Sequence, residues 1–176
     1  MSVIWQPVTW TIFHLIANNY NDLYREHYIN FFESFRTIIP CRICRNHYNQ
    51  NIDNSENNIE QNVNSDHIFN WTVKLHNNVN KMHHKRVWSY DEAKNYYGSK
   101  QFNNNLLKIF ILEYVKSNFK KNPEKTDKLI VMLKSFAYLH NNEDKRNQLI
   151  NFKEKFELNR DTMRNWLLAF LIILRQ

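Results

Sequence analysis

From residue 8 onward the apolar side chains recur at helical rather than strand spacing. Between Val8 and Tyr20, Trp10, Phe13, His14 and Ala17 fall at i, i+3, i+4 and i+7, so aromatic bulk and one ring nitrogen share a face. Tyr28, Phe31, Phe32, Phe35, Ile38 and Ile39 make a denser stripe, which is core spacing without evident chemistry. Pro40 interrupts it, and a proline in a first turn suits the start of a further helix carrying Cys41, Cys44, His47 and Tyr48. Residues 50–66 are rich in asparagine and poor in large apolar side chains, which predicts an extended loop or surface insertion that only connects. Asp66 is then placed to cap a helix with the stripe Ile68, Trp71, Leu75, Val79 and Met82, and with His76, Asn77 and Asn80 along its edge. A weaker pattern from Tyr90 to Tyr97 predicts one short helix, and a first unit closes near Gly98.

Four more segments show helical periodicity: 106–119, 125–140, 145–158 and 161–175, separated by the breaks KKNPEK, HNNEDKR and ELNRD. The chain is therefore expected to divide into a domain at 1–100 and a smaller helical C-terminal domain at 101–176, whose role the sequence does not express. The apolar run from Trp166 to Leu174 predicts a C-terminal helix buried on several sides. Composition agrees with an all-α fold. One glycine and three prolines leave little for positive-φ turns or hairpins, while 43% hydrophobic and 15% aromatic residues are ample for a core.

A net charge of +7 raises the question of nucleic acid. The lysines are spread along amphipathic segments rather than gathered with aromatics on one strip, so a solvated cationic surface is expected and no nucleic-acid partner. No basic stretch followed by an apolar core and a cleavage site marks a secretory signal, and a cytosolic start is expected. The run 166–174 is far short of the roughly 20 residues a membrane span needs.

The chain's two cysteines form the tetrapeptide CRIC, which permits a small disulfide within one helical turn. A thiolate at that helix end is stabilised by the N-terminal dipole and by Arg42 and Arg45, conditions that lower its pKa and speed exchange. Three other readings compete: half of a zinc site, a thioredoxin-like centre, and inert buried thiols. Zinc lacks a suitably spaced histidine pair among His47, His67, His76, His83 and His84. The thioredoxin fold requires a βαβ pattern before the CxxC that is absent here, and free cysteine is often just a small hydrophobe.

The surroundings of the pair favour redox chemistry. A disulfide that oxidises thiols repeatedly must pass its electrons on. Trp10 with His14 a turn later, then Trp71 with His76, Asn77 and Asn80, offer flat apolar walls and hydrogen-bonding edges suited to a planar ring. The chain resembles the Erv/ALR family of sulfhydryl oxidases in three motifs in the family's order: W-x3-H as WTIFH, PCxxCxxH(F/Y) as PCRICRNHY, and HNxVN as HNNVN. Lys85 and Trp88 look like the lysine and aromatic that follow, and Tyr97 stands where an aromatic is expected. The likeness covers roughly residues 3–100.

That resemblance implies a four-helix bundle with a short fifth helix, usually dimeric, holding FAD beside the CxxC disulfide. By position, Trp10, His14, Trp71, His76, Asn77, Asn80 and Lys85 would contact FAD, Tyr48, Trp88 and Tyr97 would complete its walls, and Tyr20 and His47 are weaker candidates. In the implied mechanism a substrate thiolate attacks Cys41, Cys44 is freed and passes two electrons to the flavin, and O2 takes them to give hydrogen peroxide.

Family members often carry a shuttle disulfide and a structural disulfide. This chain has neither, and Val73 and Tyr90 occupy the positions of the structural pair. Gln6 replaces a glycine common near the first motif. Without a shuttle, Cys41 meets its dithiol substrate directly, a small thioredoxin-like redox protein being one candidate. The chain looks most like oxidases of large DNA viruses, which would place it in the host cytoplasm at the viral factory, or in the virion, making disulfides in viral proteins; the mitochondrial intermembrane space is the alternative setting. The rival functional class is a non-enzymatic helical scaffold with a degenerate first half.

Overall fold

Ten α-helices follow one another among residues 5–175, which the computed structural model describes, with no strand among those residues. They are α1 (Trp5–Asn18), α2 (Arg25–Ile38), α3 (Arg42–Asp53), α4 (Ile59–Asn62), α5 (Ile68–Met82), α6 (Tyr90–Gly98), α7 (Asn104–Asn118), α8 (Pro123–Phe136), α9 (Glu143–Lys155) and α10 (Met163–Arg175). In a chain so short of glycine, asparagine supplies the punctuation. The side chains of Asn103, Asn122 and Asn142 each accept a backbone N–H two or three residues on, capping α7, α8 and α9. Ser89 and Glu92 form a reciprocal capping box that starts α6.

The centre of the molecule is aromatic. Phe13 of α1 meets Phe31, Phe32 and Phe35 of α2 edge to face at ring-centroid distances of 4.7–6.0 Å, and Trp71 of α5 lies edge-on to Phe32 at 4.8 Å. These contacts draw α1, α2 and α5 together, with α3 packed on α2 and α5, and with α6 against α1 and α5. The C-terminal helices extend the same core: α8 lies along α2, and α7 lies against α1. Phe110 and Phe136 reach Phe31, and Tyr114 Oη hydrogen-bonds with Thr9 Oγ1 at 2.9 Å. Asn118 Nδ2 donates to the Ile38 carbonyl at 2.8 Å, satisfying one of the free acceptors at the end of α2.

Four expectations need correction. Residues 50–66 do not form a plain loop: α3 runs on to Asp53, and a 3₁₀ turn and α4 follow, burying Ile52, Ile59 and Val63. Three aliphatics in an asparagine-rich stretch are too few to stand out as an apolar stripe, and Asn54 and Asn58 break the helix between them, so tertiary burial rather than local pattern orders the segment. Asp66 does not cap α5, because Asn64 accepts from the N–H groups of Asp66 and His67. Pro40 precedes α3, and Cys41 itself is the N-cap. The C-terminal run is not buried on several sides: α10 buries Trp166, Leu167, Phe170 and Leu174, while Leu168 and Ile172 are exposed, so one helical face stays at the surface.

Candidate active site

Cys41 and Cys44 are joined as a disulfide with Cα atoms 5.2 Å apart. Local structure dictates the pairing. The extended backbone of Cys41 (φ −78°, ψ 120°) ends the Pro40 break, its carbonyl accepts from Arg45 N at 2.9 Å, and its sulfur takes the N–H of Cys44 at 3.2 Å in the manner of an N-cap oxygen. Both sulfurs therefore sit at the positive end of α3. Arg45 is turned back, its guanidinium donating to the Ile39 carbonyl at 2.7 Å, so it braces the incoming strand of chain. Arg42 and Ile43 face solvent. The amide of Gln6, in the first turn of α1, donates from Nε2 to Cys44 Sγ at 3.5 Å.

Cys44 opens onto a cavity of about 530 Å³ between α1, α3, α5 and α6, which Cys41 does not line. Its walls include Trp10, His47, Tyr48, His76, Asn80, Lys85 and Tyr97 from the sequence-predicted set. A second recess of about 280 Å³ shares His76, Asn80, Lys85 and Tyr97 with it and adds His14, Asn77, Arg86 and Trp88. The two form one groove, apolar and aromatic near the disulfide and cationic at the Lys85 and Arg86 end.

A chain of hydrogen bonds fixes the histidines in this wall. Thr72 Oγ1 gives its proton to the Phe69 carbonyl, at 2.8 Å, so it can only accept from His14 Nδ1, 3.0 Å away. His14 Nε2 then carries a lone pair and accepts from His76 Nδ1, also at 3.0 Å, which leaves His76 Nε2 as an unprotonated acceptor. Burial drives both rings toward the neutral form, with His76 adding to the effect on His14 and Lys85 adding to that on His76: the pKa of His14 is pushed down to about 3, that of His76 to about 4. The His76 ring lies flat on Trp10, centroids 4.4 Å apart and planes within 3°, and Tyr97 packs on His14 at 4.5 Å.

Asn77 has a different task. Its Nδ2 donates to the Trp88 carbonyl at 2.7 Å and its Oδ1 accepts from Trp88 N at 3.0 Å, a two-point clamp that pins the segment after α5 onto the helix. That segment leaves α5 through His84 at φ 51°, with Lys85 N bonded to the Asn80 carbonyl and His84 N to that of Lys81. The pairing is a Schellman cap in which histidine fills the left-handed position glycine usually takes. It turns Lys85, Arg86 and Trp88 toward the groove.

Trp71 and Tyr20 lie outside the groove. Trp71 is fully buried in the core and donates from Nε1 to the Asn57 carbonyl at 2.9 Å; the folding of residues 50–66 supplies that acceptor and turns the indole inward. Tyr20, beyond the far end of α1, hydrogen-bonds Asp22 and packs at a tilt against Tyr28. Tyr48 is a wall only: its hydroxyl donates to the Phe32 carbonyl, and burial raises its pKa well above the ordinary range. The cavity wall also contains His83, Asn51 and Val79. The position of His83 was readable, since 76, 80 and 83 fall on one helical face; Asn51 was hidden in the segment read as a loop.

A reactive disulfide at a helix N-terminus, beside a groove with flat aromatic walls, neutral imidazoles and a cationic end, defines a helical thiol–disulfide redox protein with space for a planar anionic cofactor. The chain belongs to the Erv1/Alr family, whose model matches residues 7–99. It is similar to the FAD-linked sulfhydryl oxidases of two African swine fever virus isolates. The Malawi tick isolate's protein is 33% identical and the Kenya pig isolate's 34%, each over 123 residues covering 65% of this chain and 92% of the relative. A protein of Acanthamoeba polyphaga mimivirus named as a probable FAD-linked sulfhydryl oxidase is 29% identical over 93 residues, 51% of this chain and 65% of that protein. No solved structure matches the chain significantly.

Proposed function

We propose that the chain is an FAD-linked sulfhydryl oxidase that makes disulfides in dithiol substrates, using O2 as acceptor. The observation that carries this is that Cys44 lines the groove built from the WTIFH, PCRICRNHY and HNNVN motifs while its partner Cys41 does not. A substrate thiolate attacks Cys41 Sγ, the Cys41–Cys44 bond breaks, and Cys44 leaves as a thiolate on the cavity side. The second substrate thiolate attacks the mixed disulfide, releasing oxidised substrate and a reduced pair. Bound FAD would supply the two-electron acceptor for the reduced pair, with O2 as the final acceptor and hydrogen peroxide as the product.

The groove residues fit that cofactor by their chemistry. Trp10, Tyr48 and Tyr97 supply flat apolar walls, His76 Nε2 and the Asn80 amide supply hydrogen-bonding edges, and Lys85 and Arg86 offer cations for a pyrophosphate. His14 orients His76, Asn77 holds Trp88 and the basic turn in place, and His47 lines the disulfide end. Trp71 supports this wall from behind rather than touching the cofactor.

Residues 1–100 form the catalytic unit in this scheme, and residues 101–176 brace α1 and α2 from outside. A protein dithiol, a small thioredoxin-like redox protein among them, is the substrate class; a homodimer is the expected assembly; and the viral relatives favour the cytoplasm of an infected cell. Among the described residues no helix is long and apolar enough to cross a membrane.

The test is an absorbance spectrum of the purified protein followed by oxygen uptake with dithiothreitol. The wild type is expected to be yellow and to consume oxygen, and Cys44→Ser to stay yellow while turnover is abolished. A folded but colourless and inactive wild type would return the chain to the non-enzymatic scaffold class.

A further inference from the structure

We propose that Gln6 is a positioning residue that tunes Cys44: its side-chain amide holds the sulfur and stabilises the thiolate released when the Cys41–Cys44 bond breaks. The inference rests on the thiol-exchange role above and adds a residue outside the three motifs. Gln6 Nε2 is 3.5 Å from Cys44 Sγ, and both line the same cavity. A disulfide sulfur carries no proton, so only the NH2 end of the amide can bond it. That fixes the orientation of the side chain, which is half-buried in the first turn of α1.

When a substrate thiolate attacks Cys41 Sγ, the new S–S bond forms there and the old bond's electron pair leaves on Cys44. The acceptor at the end of the Gln6 amide changes from a weak neutral sulfur to an anion, and the hydrogen bond becomes charge-assisted. A donor that binds the anion more tightly than the disulfide lowers the thiol pKa, improves the leaving group and makes the disulfide more oxidising. A glycine at this position, which Gln6 replaces, has no side chain with which to do this. The first-turn N–H of α3 goes to Cys41 Sγ, whereas the donor on Cys44 Sγ comes from α1, across the cavity.

Other groups around Cys44 also bear on its charge: Arg42 and Arg45 on α3, and His47, His76, His83 and Lys85 around the cavity. Each stays in place in a Gln6 variant, so differences between variants report the amide. The full-length, flavin-loaded protein is equilibrated without oxygen against glutathione buffers, and the Cys41–Cys44 state is read by thiol trapping and mass. Separately, the rate of iodoacetamide alkylation of Cys44 is followed against pH in a Cys41→Ser background. Gln6→Met, of similar size without a donor, is expected to make the disulfide about tenfold harder to reduce, roughly 30 mV more negative, and to lower the acidity of Cys44 by about the same factor. Gln6→Glu keeps the shape, adds a negative charge, and should shift both quantities further in the same direction. Wild-type values in both variants would overturn the proposal, and so would equal shifts in the two, which would report packing rather than a donor. Neither readout depends on oxygen consumption, so a failed oxidase assay and a failed Gln6 prediction remain distinguishable.

Discussion

His14 and His76 show how much one wall residue depends on another. Burial holds both rings neutral, and the protons are distributed so that His76 presents a lone pair: Thr72 to Phe69, His14 to Thr72, His76 to His14. This arrangement has a pH signature. In the unfolded chain both imidazoles titrate near 6.5, while in the folded protein burial depresses them to about 3 and about 4; His140, buried beneath Phe102, is likewise depressed to about 4. Between those values the unfolded state binds more protons, so stability rises with pH. The stabilisation is complete above about pH 6.5 and is lost as pH falls toward 4. At pH 4.5 the loss is expected to be roughly 2 kcal/mol per ring, and thermal melting between pH 7 and 4.5 should record it. His140→Gln, remote from the groove, should remove one ring's share of that slope. Carboxylates such as Asp127 and Glu92, whose pKa values are lowered by Arg160 and by the Ser89 N–H respectively, begin to lose their share only at the acid end of this window, so the slope at its upper end reports the imidazoles.

At the scale of elements, the turn after α5 is held by a residue ill suited to it. His84 sits at φ 51° because a Schellman cap demands the left-handed region, and the sole glycine of the chain, Gly98, lies elsewhere. An L-residue there costs about 1–2 kcal/mol, part of which glycine gives back through the entropy of the unfolded chain. His84→Gly is therefore expected to stabilise the protein by roughly 0.5–1 kcal/mol, read as a higher urea midpoint at unchanged slope. A lower midpoint would mean that the imidazole makes a compensating contact. Nine of the ten helices among the described residues were legible in the sequence, most of them because their apolar stripes repeat every turn, as in Phe31, Phe35 and Ile38. The stretch at 50–66 was not, because Ile52, Ile59 and Val63 are ordered only by the core they enter. The same blindness affects Trp71: one helical stretch ahead of His76, Asn77 and Asn80 it reads as a flat wall for a planar ring, whereas the Asn57 carbonyl that turns it inward belongs to the segment read as a loop. The sulfur pair, the two site histidines and Asn80 were readable because their spacing is itself the signal. The contact from Gln6 to Cys44 was not, since it joins residues 38 apart on different helices.

Across the whole molecule, the C-terminal helices bear on the site through α1 and α2 rather than through any residue in the groove. Tyr114 bonds Thr9, one residue from Trp10, and Asn118 caps the end of α2 just before Pro40 and the disulfide. Phe110 and Phe136 cover the face of α2 that carries Phe31 and Phe35, both of them fully buried. Deleting residues 101–176 would strip that cover from the longest aromatic stripe in the chain. The 1–100 fragment is therefore expected to aggregate or to lose cooperative melting. Phe136→Ala in the full chain tests the same contact without truncation, at an expected cost of about 3–5 kcal/mol from the cavity it leaves. Because α2 leads directly into Pro40 and Cys41, that loss should also slow dithiol turnover at temperatures where the variant is still folded. A soluble 1–100 fragment that melts cooperatively and oxidises dithiothreitol at the full-length rate would show instead that α1–α6 stand alone, and would leave α7–α10 free for a task on their exposed faces, such as that of Leu168 and Ile172 on α10.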